Sequence, residues 1–377
     1  MTNKEKAIEI FRLLEENHIN LYHDISKKDF EKELNKFLET ADNLDEIHFD
    51  AGMSRLFSLF KDAHTMYPIS DKYVERCIKF INSKFYFYDL ETETCEEIIK
   101  VNGIDFKEVY KRLKEIMQYD AETWANFLIA FNLRGIKHLQ MIDCANKENP
   151  NQIEYTLKNG QVFTKVLKER VFNRSPFYSF ELMENGILKI TYLKCRNMEG
   201  YPFIQFLEDV KKECQRLPSA CLVDVRKNDG GSDAVVRPLF YWLKENKIKT
   251  YSLMNDGVFS GGTFALLDMK KELNATLIGT EAGQAAHAYG NCKWLKVEDK
   301  NFSYCTRYFN RTTIDTKQNI KPYPIDNIID YLGPIKPDIY LEEKIEDVAV
   351  GIDGQLRDCL EIIKKDLEIS KEDFIIQ

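Results

Sequence analysis

The chain has 377 residues, 44% of them hydrophobic and 30% charged, with 24 Phe, 19 Tyr and a formal net charge of −8. That length implies two or three packed units, and that composition excludes an extensively disordered chain. The negative charge, without any run of Lys and Arg, argues against nucleic acid or anionic lipid as a partner.

The N-terminal stretch MTNKEKAIEIFRLLEENHIN is amphipathic and charged throughout, lacking the continuous apolar core of a signal peptide. No segment approaches 18 apolar residues, so no membrane span is expected. Nine cysteines are an odd number and form no CxxC pair, which points away from a disulfide framework and from a thiolate zinc site. A cytoplasmic protein without metal or cofactor is the expectation.

In chain order, residues 1–67 carry apolar residues at helical spacing, as in Ile8, Phe11, Leu14 and then Phe30, Leu34, Phe37, which predicts an N-terminal helical domain. The stretch KDAHTMYP breaks that pattern ahead of Pro68. Residues 68–183 mix periods. A short apolar run ends in the Asn102-Gly103 turn and is followed by the helical FKEVYKRLKEIM, and Ile153, Tyr155, Leu157 and Val162, Thr164, Val166 alternate on either side of Asn159-Gly160. The second of these predicts a hairpin with a tight two-residue turn, and the region reads as α+β. Residues 184–377 then alternate strand and helix. The strands are ILKITYL, ACLVDV, TYSLM and TLIG, and the helices carry Phe203, Phe206, Val210 and Cys214, then Val236, Leu239, Phe240 and Leu243, and finally Leu356, Leu360 and Ile363. That order predicts an α/β core.

Two glycine-bearing junctions fall where such a core places its ligands, beyond the carboxyl ends of strands. In VDVRKNDGGSD, Gly230 and Gly231 allow a sharp turn that presents bare N–H groups, though a plain turn reads the same way. In NDGVFSGGTFALLDMKKEL, Ser260 stands at the start of a helix with Gly261 after it. Free N–H groups and the helix dipole stabilise negative charge there, yet serine is also a preferred N-cap. The residue two before Ser260 is Val258, so this is not a GxSxG elbow.

The ordered series VDVRKNDGGS, FSGGTFALLD, TLIGTEAG and GPIKPDIYLE resembles the tail-specific, or C-terminal-processing, serine peptidases. That family also includes the tricorn core protease and interphotoreceptor retinoid-binding protein. The resemblance covers about residues 187–363 and implies a crotonase/Clp-like catalytic core. It further implies Ser260 as nucleophile and the backbone N–H groups of Gly230 or Gly231 and of Gly261 as the oxyanion hole. The segment EEIIKVNGIDFKEVYKRL resembles the PDZ-like modules such peptidases insert, without the glycine-rich loop that grips a peptide carboxylate.

The best-known branch pairs its serine with a lysine just after the strand matching TLIG, but no lysine lies between Gly279 and Asn291 here. Histidine is the natural substitute as general base near neutral pH, and the chain has six. His64, in LFKDAHTMY, resembles the Asp-x-His-Thr histidine of the tricorn-like and retinoid-binding-like branches. His287, in the loop where the other branch keeps its lysine, is the alternative base. A third group should orient the imidazole. Asp330, three residues before Gly333, resembles the family's glutamate, with Glu281 and Asp326 as alternatives. The expected activity is peptide hydrolysis through a Ser260 acyl-enzyme, on peptide or unfolded protein, without metal. The alternatives are a non-catalytic binding protein of the same fold for a peptide or hydrophobic ligand, and an acyl-CoA enzyme of the crotonase kind.

Overall fold

Thr2, Ser26 and Asp45 each precede a helix and each spend a side-chain oxygen on its first turn, a contribution of about 1 kcal/mol per cap. They open α1 (Asn3–Asn17), α2 (Lys27–Leu38) and α3 (Glu46–Ser58). The computed structural model describes residues 1–168, 175–183, 185–309, 313–316, 319–322 and 333–375. The chain divides into one compact unit of residues 1–170 with 287–310 and a second of residues 171–286 with 311–377. The helical stretch 1–67 therefore shares its unit with the α+β stretch that follows. On α1 the buried stripe is Ala7, Ile10, Phe11 and Leu14, whereas Ile8 is exposed. The helical period is as expected, but Ile8 sits about 100° round from Ala7 and falls off the stripe.

After α3 the first unit builds an antiparallel sheet from β1 (Ile78–Ile81), β2 (Lys84–Asp89), β3 (Thr94–Val101) and β4 (Ile104–Asp105), followed by α4 (Phe106–Glu115), α5 (Glu122–Asn132) and α6 (Ile136–Met141). Asn102 and Gly103 both take positive φ, 50° and 78°, as an Asn-Gly turn between paired strands requires. The sheet continues with β5 (Gln152–Leu157) and β6 (Val162–Val166) in the order β1-β2-β3-β5-β6, with β4 on β3. The second hairpin corrects the expected two-residue turn. Thr156 pairs with Val162 and Leu157 N–H donates to the Gln161 carbonyl, which leaves Lys158, Asn159 and Gly160 as a three-residue loop. Only Gly160 is left-handed there, at φ 87°, the usual arrangement for three-residue loops.

The second unit holds the α/β alternation expected from the sequence. After β7 (Tyr178–Leu182) come β8 (Ile187–Tyr192), α7 (Phe203–Glu213), β9 (Ala220–Asp224), α8 (Arg237–Glu245), β10 (Lys249–Met254), α9 (Gly261–Leu273) and β11 (Thr276–Gly279). Strands β8 to β11 pair in parallel, with β7 antiparallel at one edge. Every residue of β9 is buried, as expected of a parallel strand covered on both faces.

The chain then returns to the first unit as the hairpin β12 (Ala288–Val297) and β13 (Lys300–Phe309). Val297, Phe302 and Tyr304 join the α1–α3 core, where Phe11, Phe30 and Phe60 pack with ring centroids 4.8–6.3 Å apart. At the hairpin turn, Lys300 Nζ lies 2.9 Å from the buried Asp50, which also accepts from Tyr67 Oη and Lys137 Nζ at 2.8 Å. A short pair, β14 (Thr313–Thr316) and β15 (Asn319–Pro322), precedes β16 (Ile339–Tyr340), α10 (Ile345–Ala349) and α11 (Gly354–Ile375). β16 adds to β11, completing the order β16-β11-β10-β9-β8-β7. Cys359 and Ile363 of α11 pack with Leu222, Tyr251, Leu253 and Ile278, and Arg226 ties the end of β9 to Asp353 at 2.7 Å. Among the described residues no helix is long and apolar enough to cross a membrane.

Candidate active site

Ser260 occupies the N-cap position of α9, but it does not behave as a cap. Its side chain makes no capping hydrogen bond, and its backbone sits at φ 53°, ψ −122° rather than in the β region that N-caps adopt. The ordinary reading of this serine as a helix cap is thereby removed. Positive φ in a non-glycine residue carries strain of about 1–3 kcal/mol unless the surroundings fix it, and here they do. Phe259 N–H donates to the Asn228 carbonyl at 2.9 Å, Phe264 N–H donates to the Ser260 carbonyl at 3.3 Å, and Ser260 N–H donates to Gln284 Oε1 at 2.7 Å.

The turn after β9 closes against this strained residue. Asn228, fully buried, donates its amide to the Tyr192 carbonyl at 2.8 Å and accepts the Gly230 N–H at 2.9 Å. A Cβ on Gly230, whose φ is 92°, would lie 2.5 Å from Ser260 Cβ, and one on Gly261 would lie 2.4 Å from the Gly231 carbonyl oxygen. Only glycine lets these two backbones approach so closely. Gly230→Ala is therefore expected to destabilise the second unit by about 1–3 kcal/mol and to displace Ser260. Chemical denaturation alongside an activity assay checks both effects.

Because Gly230 N–H is spent on Asn228, the donors left at this junction are the N–H groups of Gly231 and Gly261. Neither has an acceptor among the described residues. Two such donors beside a helix N-terminus favour an anion or a carbonyl oxygen gaining negative charge.

In the first unit, Asp62, His64 and Thr65 form a closed hydrogen-bonded turn. Asp62 accepts the His64 backbone N–H on Oδ1 at 2.8 Å, and on Oδ2 it accepts from Thr65 Oγ1 at 2.7 Å, His18 Nε2 at 3.2 Å and Cys305 Sγ at 3.2 Å. Burial works to raise the Asp62 pKa. The His18 hydrogen bond, the His64 charge and the Thr65 and His64 N–H donors outweigh it and hold the carboxyl well below its ordinary range. His64 is itself buried. Burial lowers its pKa, partly opposed by the nearby Asp62 charge and by a hydrogen bond from the ring to the Tyr289 carbonyl. Its own carbonyl accepts from Ser303 Oγ at 2.7 Å, which pins the turn to β13.

A depressed carboxyl pKa stabilises the folded state fully above the unfolded value of about 4, and that contribution is lost as the pH falls towards the folded value. Asp62→Ala is expected to cost about 2–4 kcal/mol at pH 7 by stranding buried donors. The gap between wild type and variant should shrink on acidification below pH 4. Urea midpoints at pH 7 and pH 3 measure it.

His18, Asp62 and Cys305 lie close enough together to suggest a metal, but the proton positions favour a network instead. Asn20 N–H donates to His18 Nδ1 at 3.0 Å, which places the imidazole proton on Nε2, where it donates to Asp62. Metal ligation through Nε2 would move that proton to Nδ1, against the Asn20 donor. Cys305 likewise stays a thiol, its pKa pushed far up by its hydrogen bond with Cys292, by burial and by Asp62.

His287 immediately precedes β12, half-buried, with its pKa lowered by burial. Glu281 lies in the loop after β11 and is also half-buried. Asp330 and Asp326 lie outside the described residues. Sequence reasoning missed three groups. Asn228 stands two residues before the Gly-Gly pair, Gln284 stands between Gly279 and Asn291, and Asp62 stands two residues before His64. Asp62 and Asn228 were both legible as short side chains able to cap their own turns, since each accepts the N–H two residues on; Gln284 carries no such local signature.

No protein-family model and no curated protein matches the chain. Among solved structures, mature CPAF complexed with lactacystin is 12% identical and aligns over 97% of this chain and 99% of that one, with a TM-score of 0.61. Mature CPAF alone gives 13% identity, 97% and 98% coverage and a TM-score of 0.60. The photosystem II D1 C-terminal processing protease, at 11% identity and 94% and 99% coverage, gives a TM-score of 0.48. The chain thus has the mixed α/β fold expected from its sequence, and shares it with mature CPAF over nearly its whole length.

Proposed function

We propose that the chain is a serine peptidase of the tail-specific kind, acting on peptides or unfolded proteins with Ser260 as nucleophile and His64 as general base. The observation that carries this reading is Ser260 itself. It is held at positive φ on the strand-to-helix junction, with no capping bond to its side chain and two backbone donors beside it. In the proposed cycle the Ser260 hydroxyl proton passes to His64 while Oγ bonds to the peptide carbonyl carbon. The carbonyl oxygen takes the negative charge and is held by Gly231 and Gly261 N–H, with Gly230 providing space rather than a donor. His64 then protonates the leaving amine, and water, deprotonated by the same ring, releases the acyl group.

Burial lowers the His64 pKa, which favours the neutral imidazole that a general base requires. Asp330 is proposed to stabilise the imidazolium by its charge. His287 is the alternative base.

Digestion of a mixed peptide library followed by mass spectrometry tests the activity. New fragments that depend on Ser260 support it, and an intact library at high enzyme concentration counts against it. Mature CPAF has been solved complexed with lactacystin. Lactacystin is accordingly expected to suppress the hydrolysis.

A further inference from the structure

Gln284 is fully buried and lies in the segment where the Ser/Lys branch carries its lysine. Here its Oε1 atom reaches the backbone N–H of Ser260 at 2.7 Å. The loop that carries Gln284 is itself fixed by the main chain. Ala282 N–H donates to the Ile335 carbonyl, Gly283 N–H to the Val258 carbonyl and Ala286 N–H to the Gly333 carbonyl, each at 3.0 Å. A buried amide on a fixed loop meets little competition from water, so losing its bond to a backbone N–H at a helix start costs the desolvation of both groups.

We infer that Gln284 is a positioning residue for the nucleophile, holding Ser260 in its strained conformation through the Ser260 N–H. The inference rests on the reading of Ser260 as nucleophile. It has two consequences. The hydrogen bond fixes the direction of the Ser260 Cα–Cβ bond, so the hydroxyl is presented without first paying for reorganisation. It also takes the nucleophile's own N–H out of the oxyanion site, so that Gly231 and Gly261 are the two donors a substrate oxygen meets. The amide thus acts on the serine backbone, not as a replacement base.

Two variants test this. Gln284→Met keeps the length and volume of the side chain and removes the acceptor; Gln284→Glu keeps an acceptor oxygen. Gln284→Met should lower kcat on the order of 100-fold with KM nearly unchanged. With selective ¹⁵N-serine labelling, the Ser260 amide should exchange with solvent at least about tenfold faster in Gln284→Met than in wild type. In Gln284→Glu its protection should be restored. A Gln284→Met protein that keeps wild-type kcat, or whose Ser260 amide stays protected, overturns the inference. So does a loss of activity that merely follows the fraction of protein unfolded. A wild-type protein that cleaves no peptide overturns the peptidase reading and the catalytic role of Gln284 together, while the exchange experiment still decides whether the contact positions Ser260.

Discussion

Ser260→Ala is expected to abolish peptide hydrolysis, lowering kcat by about 10⁴-fold or more, while leaving the protein folded and able to bind substrate. The size follows from covalent catalysis: removing the nucleophile removes the acyl-enzyme route, and what remains is binding and oxyanion stabilisation. The spared stability follows from the structure. The Ser260 side chain makes no capping bond, and alanine meets the same backbone strain at φ 53° as serine does. A cap substitution would cost about 1 kcal/mol, so a thermal midpoint within a few degrees of wild type separates loss of chemistry from loss of a cap. Under the rival reading of a non-catalytic binding protein, wild type and variant would be equally inert and would bind peptide equally well.

His64→Ala is expected to reduce kcat/KM by a comparable factor, and His287→Ala by much less. The pH profile gives a second readout. Burial lowers the His64 pKa, so the neutral, basic form persists to lower pH than for an ordinary histidine near 6.5. The acidic limb of kcat/KM should therefore fall below that value and should vanish from the residual activity of His64→Ala. An acidic limb unchanged in His64→Ala but moved in His287→Ala would transfer the role of base to His287. Because Asp62 organises the His64 turn, Asp62→Asn should lower kcat as well, and its effect should be no larger than that of His64→Ala.

The α/β core was readable because its signals are local and repeated. Strands β8 to β11 are short apolar runs, and the helices between them carry apolar residues at a clean helical period. Ile8 was misplaced because a single extra apolar residue beside the stripe does not disturb the period. The turn at Asn159-Gly160 was misjudged because a dipeptide fixes the left-handed glycine but not how many residues the pairing leaves unpaired. At the site, serine and the glycines were visible as types, and the strain at Ser260 was not. It depends on Gly230, Asn228 and Gln284, which approach from two other segments. The same holds for the division of the oxyanion donors, since only the Asn228 side chain reveals that Gly230 N–H is already taken.

A fluorophosphonate probe tests the central claim most directly, because it reports an activated serine without needing the right substrate. Labelling followed by peptide mapping should give a single adduct on Ser260, absent from Ser260→Ala and formed much more slowly in His64→Ala. Saturating probe that leaves Ser260 unmodified in a folded wild-type protein would contradict it.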